Sequence, residues 1–293
     1  MKKWSVLFLA LASTLSYARS FTSNEIITSS TTETEVLSTQ GSFGNVVTLT
    51  LSGENTTVSF DFETVPQYAI KINNYSTIKL ENGASIDMNS SNTSYGNIQI
   101  NGISTLLIES TAGTIYTDKI AVSSAGGVLT INKENAIQPC SANEPYTYLT
   151  LPNSGTINMN ASQAFNMDIR NGVVPTFKFA NGAVLSIMSW NSSGASESMK
   201  LVDYVDNSIF LSDGDGAYVY RYEGNLLTIT QGKSVKQVYI LDADGSAYEG
   251  LELQATDGGF FLTSISAAVP EPAEWAVIFG TIALGLAVYR KRK

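Results

Sequence analysis

Residues 76–88 read STIKLENGASIDM. Ile78 and Leu80 alternate with polar neighbours, Asn82-Gly83 interrupts, and the alternation resumes at Ile86 and Met88. A period of two puts the apolar side chains on one face of a strand, and Asn-Gly supplies the positive φ that a tight turn needs. The unit is strand, turn, strand, with one face buried. It recurs along the chain. Upstream, Val47, Leu49 and Leu51 precede Ser52-Gly53-Glu54-Asn55, and Val58, Phe60 and Phe62 follow. Downstream, Ile98 and Ile100 lead through Asn101-Gly102 to Leu106 and Ile108, and Leu149 and Leu151 lead through Gly155 to Ile157 and Met159. Phe177 and Phe179 lead through Asn181-Gly182 to Leu185 and Ile187. No segment between the two ends of the chain carries a helical period, so the body is expected to be all-β.

Two architectures can use such units. Two-residue Asn-Gly turns are the connections of antiparallel hairpins, which would build a β-sandwich. Short strands, Ser/Thr/Asn ladders and few prolines also suit a parallel β-solenoid (β-helix), in which each coil buries its apolar residues on the next. The 19 residues from Asn82 to Asn101 and the 18 from Asn153 to Asn171 approach the shortest structural repeats. The solenoid is the expectation for residues 43–195, whose texture resembles the β-helical passenger segments of autotransporter-type surface proteins. Residues 19–42 hold 11 Ser or Thr in the first 22 positions and read as a leader or a weak capping strand. Residues 196–268 are richer in Tyr and Asp and read as a C-terminal β-region, either a cap or a small domain of its own.

The composition removes whole classes of chemistry. The chain has no histidine, which excludes Ser-His-Asp and Cys-His catalysis and histidine-held zinc. Cys140 is the one cysteine, so no internal disulfide forms, and the residue reads as a small buried apolar group. The formal charge of −9 argues against nucleic acid as a partner.

The two ends carry addresses. Residues 1–18, MKKWSVLFLALASTLSYA, have two lysines, an apolar stretch and small residues before Ala18, the layout of a signal peptide. Cleavage between Ala18 and Arg19 by signal peptidase is expected. At the other end Val269-Pro270-Glu271-Pro272 precedes an uncharged run, 275–289, and then Arg290, Lys291, Arg292 and Lys293. Fifteen residues span about 22 Å as a helix, short for a bilayer. Snorkelling of the terminal cations and the interfacial Trp275 can extend it to a transmembrane helix with its C-terminus inside. Between the addresses, residues 19–272 carry 11 Lys or Arg against 25 Asp or Glu, a strongly acidic body.

This tail resembles the PEP-CTERM protein-sorting signal of Gram-negative bacteria. Pro270, Glu271 and Pro272 match the recognition triplet, Trp275 the aromatic after it, and Arg290 to Lys293 the terminal basic cluster. The resemblance covers about the last 25 residues and implies an exosortase as partner, which removes the helix after transient passage through the inner membrane. It further implies a cell-surface or extracellular-matrix destination; without processing, the protein stays anchored in the inner membrane and faces the periplasm.

Three constellations in the body bear on chemistry. Asp213-Gly-Asp215-Gly and Asp242-Ala-Asp244-Gly have the carboxylate spacing of a calcium loop and equally that of an ordinary β-turn. No other cofactor is implied. Asp61 with Glu63, and Asp203 with Asp206, are the acid pairs that a polysaccharide hydrolase or lyase would need, though the motifs of such enzymes are missing. Trp190, Tyr218, Tyr220, Tyr222, Tyr239 and Tyr248 suit either sheet packing or stacking on sugar rings. The expectation is an exported, non-enzymatic envelope, surface or matrix protein. The alternative is an adhesin that binds extracellular polysaccharide, or a β-helical enzyme acting on it.

Overall fold

The computed structural model describes residues 19–62, 66–88, 96–140, 146–170, 172–180, 182–191, 200–205, 208–212, 217–223, 225–231, 234–246, 251–256 and 259–264. Among the described residues every regular element is a strand, and the strands form three sheets that the chain visits in rotation.

The first circuit is β1 (Arg19–Phe21), β2 (Glu25–Ile27) and β3 (Thr31–Glu33), one strand in each sheet. The second is β4 (Leu37–Thr39), β5 (Val47–Ser52) and β6 (Thr57–Phe60); the third is β7 (Ile70–Ile72), β8 (Ser76–Glu81) and β9 (Ser85–Asp87). A fourth comprises β10 (Asn97–Ile100), β11 (Ser104–Ile108) and β12 (Ile115–Tyr116), and a fifth β13 (Lys119–Val122), β14 (Gly127–Ile131) and β15 (Ile137–Gln138). There the third sheet ends. β16 (Tyr148–Leu151), β17 (Thr156–Met159), β18 (Gln163–Ile169), β19 (Thr176–Phe179) and β20 (Val184–Asn191) alternate between the first two sheets. Every ladder among β1 to β20 is parallel.

Antiparallel pairing begins after β20. β21 (Lys200–Val205), β22 (Ser208–Ser212), β23 (Ala217–Glu223), β24 (Leu226–Gln231) and β25 (Ser234–Asp242) form a meander that joins the second sheet through parallel pairing of β25 with β19. β26 (Leu251–Thr256) and β27 (Gly259–Ser264) form a hairpin that pairs antiparallel with β20. The protein is thus all-β with mostly parallel sheets, an arrangement consistent with a β-solenoid. The antiparallel sandwich does not describe β1 to β20, because their ladders run parallel.

Register explains why these residues form these strands. Leu49, Ile78, Leu106, Leu129, Ile157 and Phe177 stand opposite one another on successive strands of the second sheet, all buried. Successive members lie 29, 28, 23, 28 and 20 residues apart. Leu37, Ile70, Ile98, Ile120, Leu149 and Met167 make the matching column of the first sheet, and Val58, Ile86, Ile115 and Ile137 that of the third. Each alternating strand aims its apolar set at one shared core, so a strand slipped by one residue would put its polar set inside.

Two sequence expectations change. The Asn-Gly pairs before β20 join strands of different sheets: Asn82 (φ 53°) and Gly83 (φ 85°) turn the chain from β8 into β9, with no ladder between those two strands. The left-handed pair that closes a hairpin closes a corner here, because in both cases the backbone needs two positive φ values in succession. The spacing from Asn82 to Asn101 is also no repeat, since those residues occupy different corners, after β8 and after β10. Asn153 and Asn171 do follow equivalent strands, and their 18-residue separation matches the pairing of Leu151 with Ile169.

Residues 19–42 are not separate from the stack. β1 to β3 pair with β4 to β6, and Phe21, Ile27 and Leu37 are buried in the common core.

Candidate functional site

Each corner that positions surface side chains is held by ladders of polar groups. Where the first sheet turns into the second, the amide of Asn101 donates to Asn73 Oδ1 at 3.3 Å, and the buried Ser104 hydroxyl donates to the Ile72 carbonyl at 3.0 Å. Just past the ends of the second-sheet strands, Asn132 donates to Glu109 at 3.0 Å and Asn160 to Asn132 at 2.7 Å. Lys79 joins this row, with Nζ 2.7 Å from Glu81 and 3.5 Å from Glu109. The bond to Glu81 holds the Lys79 ammonium above its usual range, which keeps that amine protonated and non-nucleophilic.

One corner stands out. Between β4 and β5 the chain inserts a closed loop, in which Ser42 and Asn45 exchange backbone hydrogen bonds of 3.0 and 2.8 Å. Phe43 at its tip is 88% exposed. Its ring meets Tyr75 edge to face at 6.0 Å, and Val46 (57% exposed) and Ile103 (58% exposed) share that corner. Sequence reasoning missed this row because Phe43 sits where the strand alternation begins.

Cys140 follows β15, packed against the core and half-buried. Its backbone N–H donates to Asp118 Oδ1 at 3.1 Å. Burial, reinforced by the neighbouring Asp118 carboxylate, pushes the Cys140 thiol up to about 12. The sequence reading of a small buried apolar group holds in part: Cys140 packs against the core but is only half-buried. A thiol held that high carries far less thiolate than an ordinary one at the same pH. At pH 8 the folded protein is therefore expected to react with iodoacetamide more than about tenfold more slowly than the urea-unfolded chain, read by intact mass. Equal rates would mean that the thiol is open to solvent.

The calcium candidates divide. Asp213 and Asp215 lie outside the described residues. Asp242, the last residue of β25, and Asp244, just after it, are exposed, and both serve a turn. The Asp242 carboxylate accepts the Ala243 N–H at 2.6 Å, and Asp244 accepts the Ser246 N–H at 2.7 Å. Hydrogen bonds from Ser246, with help from the charge of Lys178, hold the Asp244 carboxyl below its usual range. Among the described residues no three of Cys, Asp and Glu gather closely enough to hold a metal ion.

Of the acid pairs, Asp61 is exposed just after β6 and Asp203 lies in β21, while Glu63 and Asp206 lie outside the described residues. Tyr218, Tyr220 and Tyr222 alternate along β23, opposite Gln231, Ile229 and Leu227 of β24. Tyr239 is exposed on β25, Trp190 is in register with Met167, and Tyr248 lies outside the described residues.

Arg19 is the first residue of β1, and its guanidinium donates to the buried carboxylate of Glu33 across the first circuit. Ala18, Pro270, Glu271, Pro272, Trp275, Arg290, Lys291, Arg292 and Lys293 lie outside the described residues. So does the expected span 275–289; among the described residues no helix is long and apolar enough to cross a membrane.

What fold and surface define together is a class: an all-β protein of mostly parallel sheets, with polar ladders at its corners. No family, curated protein or solved structure matches the chain.

Proposed function

We propose that this chain is an exported, non-enzymatic scaffold of the cell surface or extracellular matrix, a β-solenoid sorted by an exosortase through its C-terminal signal. One observation carries the reading. Pro270-Glu271-Pro272, an uncharged run from Trp275 to Tyr289 and four terminal cations follow in fixed order, opposite an N-terminal export signal.

The three-sheet circuits favour the solenoid over the sandwich, since a parallel stack returns each strand to its own sheet. Proline at positions 270 and 272 keeps the segment extended, the form in which a processing enzyme can grip the backbone. The alternative as a glycan-binding adhesin gains some support from the exposed Phe43 and its contact with Tyr75.

The test is the intact mass of the protein from a host that carries an exosortase. Wild type is expected to end near Pro272 or Ala273, and Glu271→Ala to retain Lys293. Normal maturation of that variant would reduce the tail to a plain membrane anchor, and turnover of a polysaccharide by the purified body would replace the scaffold reading with an enzymatic one.

A further inference from the structure

The first circuit is built unlike those behind it. Register places Arg19 opposite Leu37, Glu25 opposite Leu49 and Glu33 opposite Phe60. All three partners are core residues, and two of them continue the buried columns of the first and second sheets. Three rows of core positions therefore end in charges, one on each sheet. The second circuit, LST, VTLTLS and TVSF, has no charged residue in any of its strands.

The charges coexist with a sealed core because the circuit mixes them with apolar groups. Phe21 and Ile27 lie beside them, both buried, and cover the columns beneath. The Arg19 guanidinium donates to Glu33 and sits 4.9 Å from the centre of the Phe21 ring, so it closes β1 onto β3. Glu25 is exposed at the end of the Leu49 column.

Among the described residues β1, β2 and β3 are also the edge strands of their three sheets, each only three residues long. Sheet edges recruit further strands, and short strands with inward-pointing charges discourage this. A second copy brought end to end would meet the same circuit across a two-fold axis. It would have to take Glu25 and its counterpart out of water with no partner between them, at a cost that edge hydrogen bonds do not offset.

We propose that the Arg19–Glu33 circuit is a charged plug, whose core-register charges Arg19, Glu25 and Glu33 stop the chain from joining a second copy through this end. The inference is independent of how the C-terminal tail is processed.

The experiment compares Arg19→Leu/Glu25→Leu/Glu33→Phe in the full chain, in one detergent throughout, with wild type and with an outward-facing control, Ser20→Leu/Thr32→Leu. The triple variant is expected to double in mass as concentration rises, by light scattering, and to gain amide-exchange protection in β1 to β3. Wild type and control are expected to remain single. A triple variant that stays single, a control that associates equally, or a wild type already paired through this end would each overturn the plug. Glu25→Leu alone alters an exposed side chain and should fold even where the triple variant does not; it is expected to associate more weakly, and no association at any concentration would also overturn the proposal.

Discussion

Leu106→Asp is expected to leave no folded protein, whereas Thr105→Asp, one residue away, costs about 1 kcal/mol or less. Leu106 is fully buried in the middle of the second sheet, between Ile78 on β8 and Leu129 on β14. Truncating such a side chain alone costs roughly 2–5 kcal/mol. A carboxylate placed there has no cation to pair with along that column, and the penalty for an unpaired buried charge adds several kcal/mol. Together these rival the roughly 5–15 kcal/mol that holds a typical domain folded. Thr105 points the other way, half-exposed and opposite Thr77 and Val128, so an aspartate there meets water and loses only β-propensity. Urea unfolding followed by circular dichroism distinguishes the two. A cooperative Leu106→Asp transition near the wild-type midpoint would mean that the register described here is wrong.

The second large effect is at a corner. Gly41→Ala is expected to lose about 3 kcal/mol, more than most surface changes, because its new Cβ would overlap the Tyr75 carbonyl oxygen and sit 2.8 Å from that of Asn45. Both obstacles are backbone and cannot rotate away. Tyr75 is already in the left-handed region (φ 53°), and its carbonyl accepts the Val47 N–H at 3.0 Å, the bond that starts β5. Moving it aside costs that hydrogen bond as well. Gly44→Ala is the comparison: nothing lies within 4 Å of its added Cβ, and only its φ of 81° resists, at roughly 1 kcal/mol. The difference in urea midpoint between the two variants is the measurement. Equal losses would show that the corner between β4 and β5 yields freely.

Much of this fold is legible in short windows. The alternation through Val47, Leu49 and Leu51, or through Ile78 and Leu80, already marks which side chains face inward, and all five are buried. Positive φ at Asn82, Gly83 and Gly102 is equally local, since it follows from residue type. The residues of the proposed sorting signal are legible for another reason: a signal of that kind is read as linear sequence, so Pro270 to Pro272 need no folded partner to be noticed.

Other features were hidden. Phe43 looks in sequence like the start of a strand, and only the closed Ser42–Asn45 loop places it outside. Arg19, Glu25 and Glu33 look like ordinary polar residues of a Ser/Thr-rich leader. Their meaning comes from lying opposite Leu37, Leu49 and Phe60, residues 18, 24 and 27 positions further on.

The sequence by itself determined that the protein is all-β, which face of each strand is apolar and where the chain must turn. Those properties depend on neighbours within a few residues, through side-chain alternation and the φ preferences of Asn and Gly. Tertiary structure decided that the turns between β1 and β20 are corners rather than hairpins, that the ladders among those strands run parallel, and that core columns end in charge at the first circuit. Each of these depends on which strand lies alongside, commonly 20 to 29 residues away. An Asn-Gly turn satisfies the same dihedral angles whether its strands pair with each other or with the next circuit, so the choice is made by packing of the shared core.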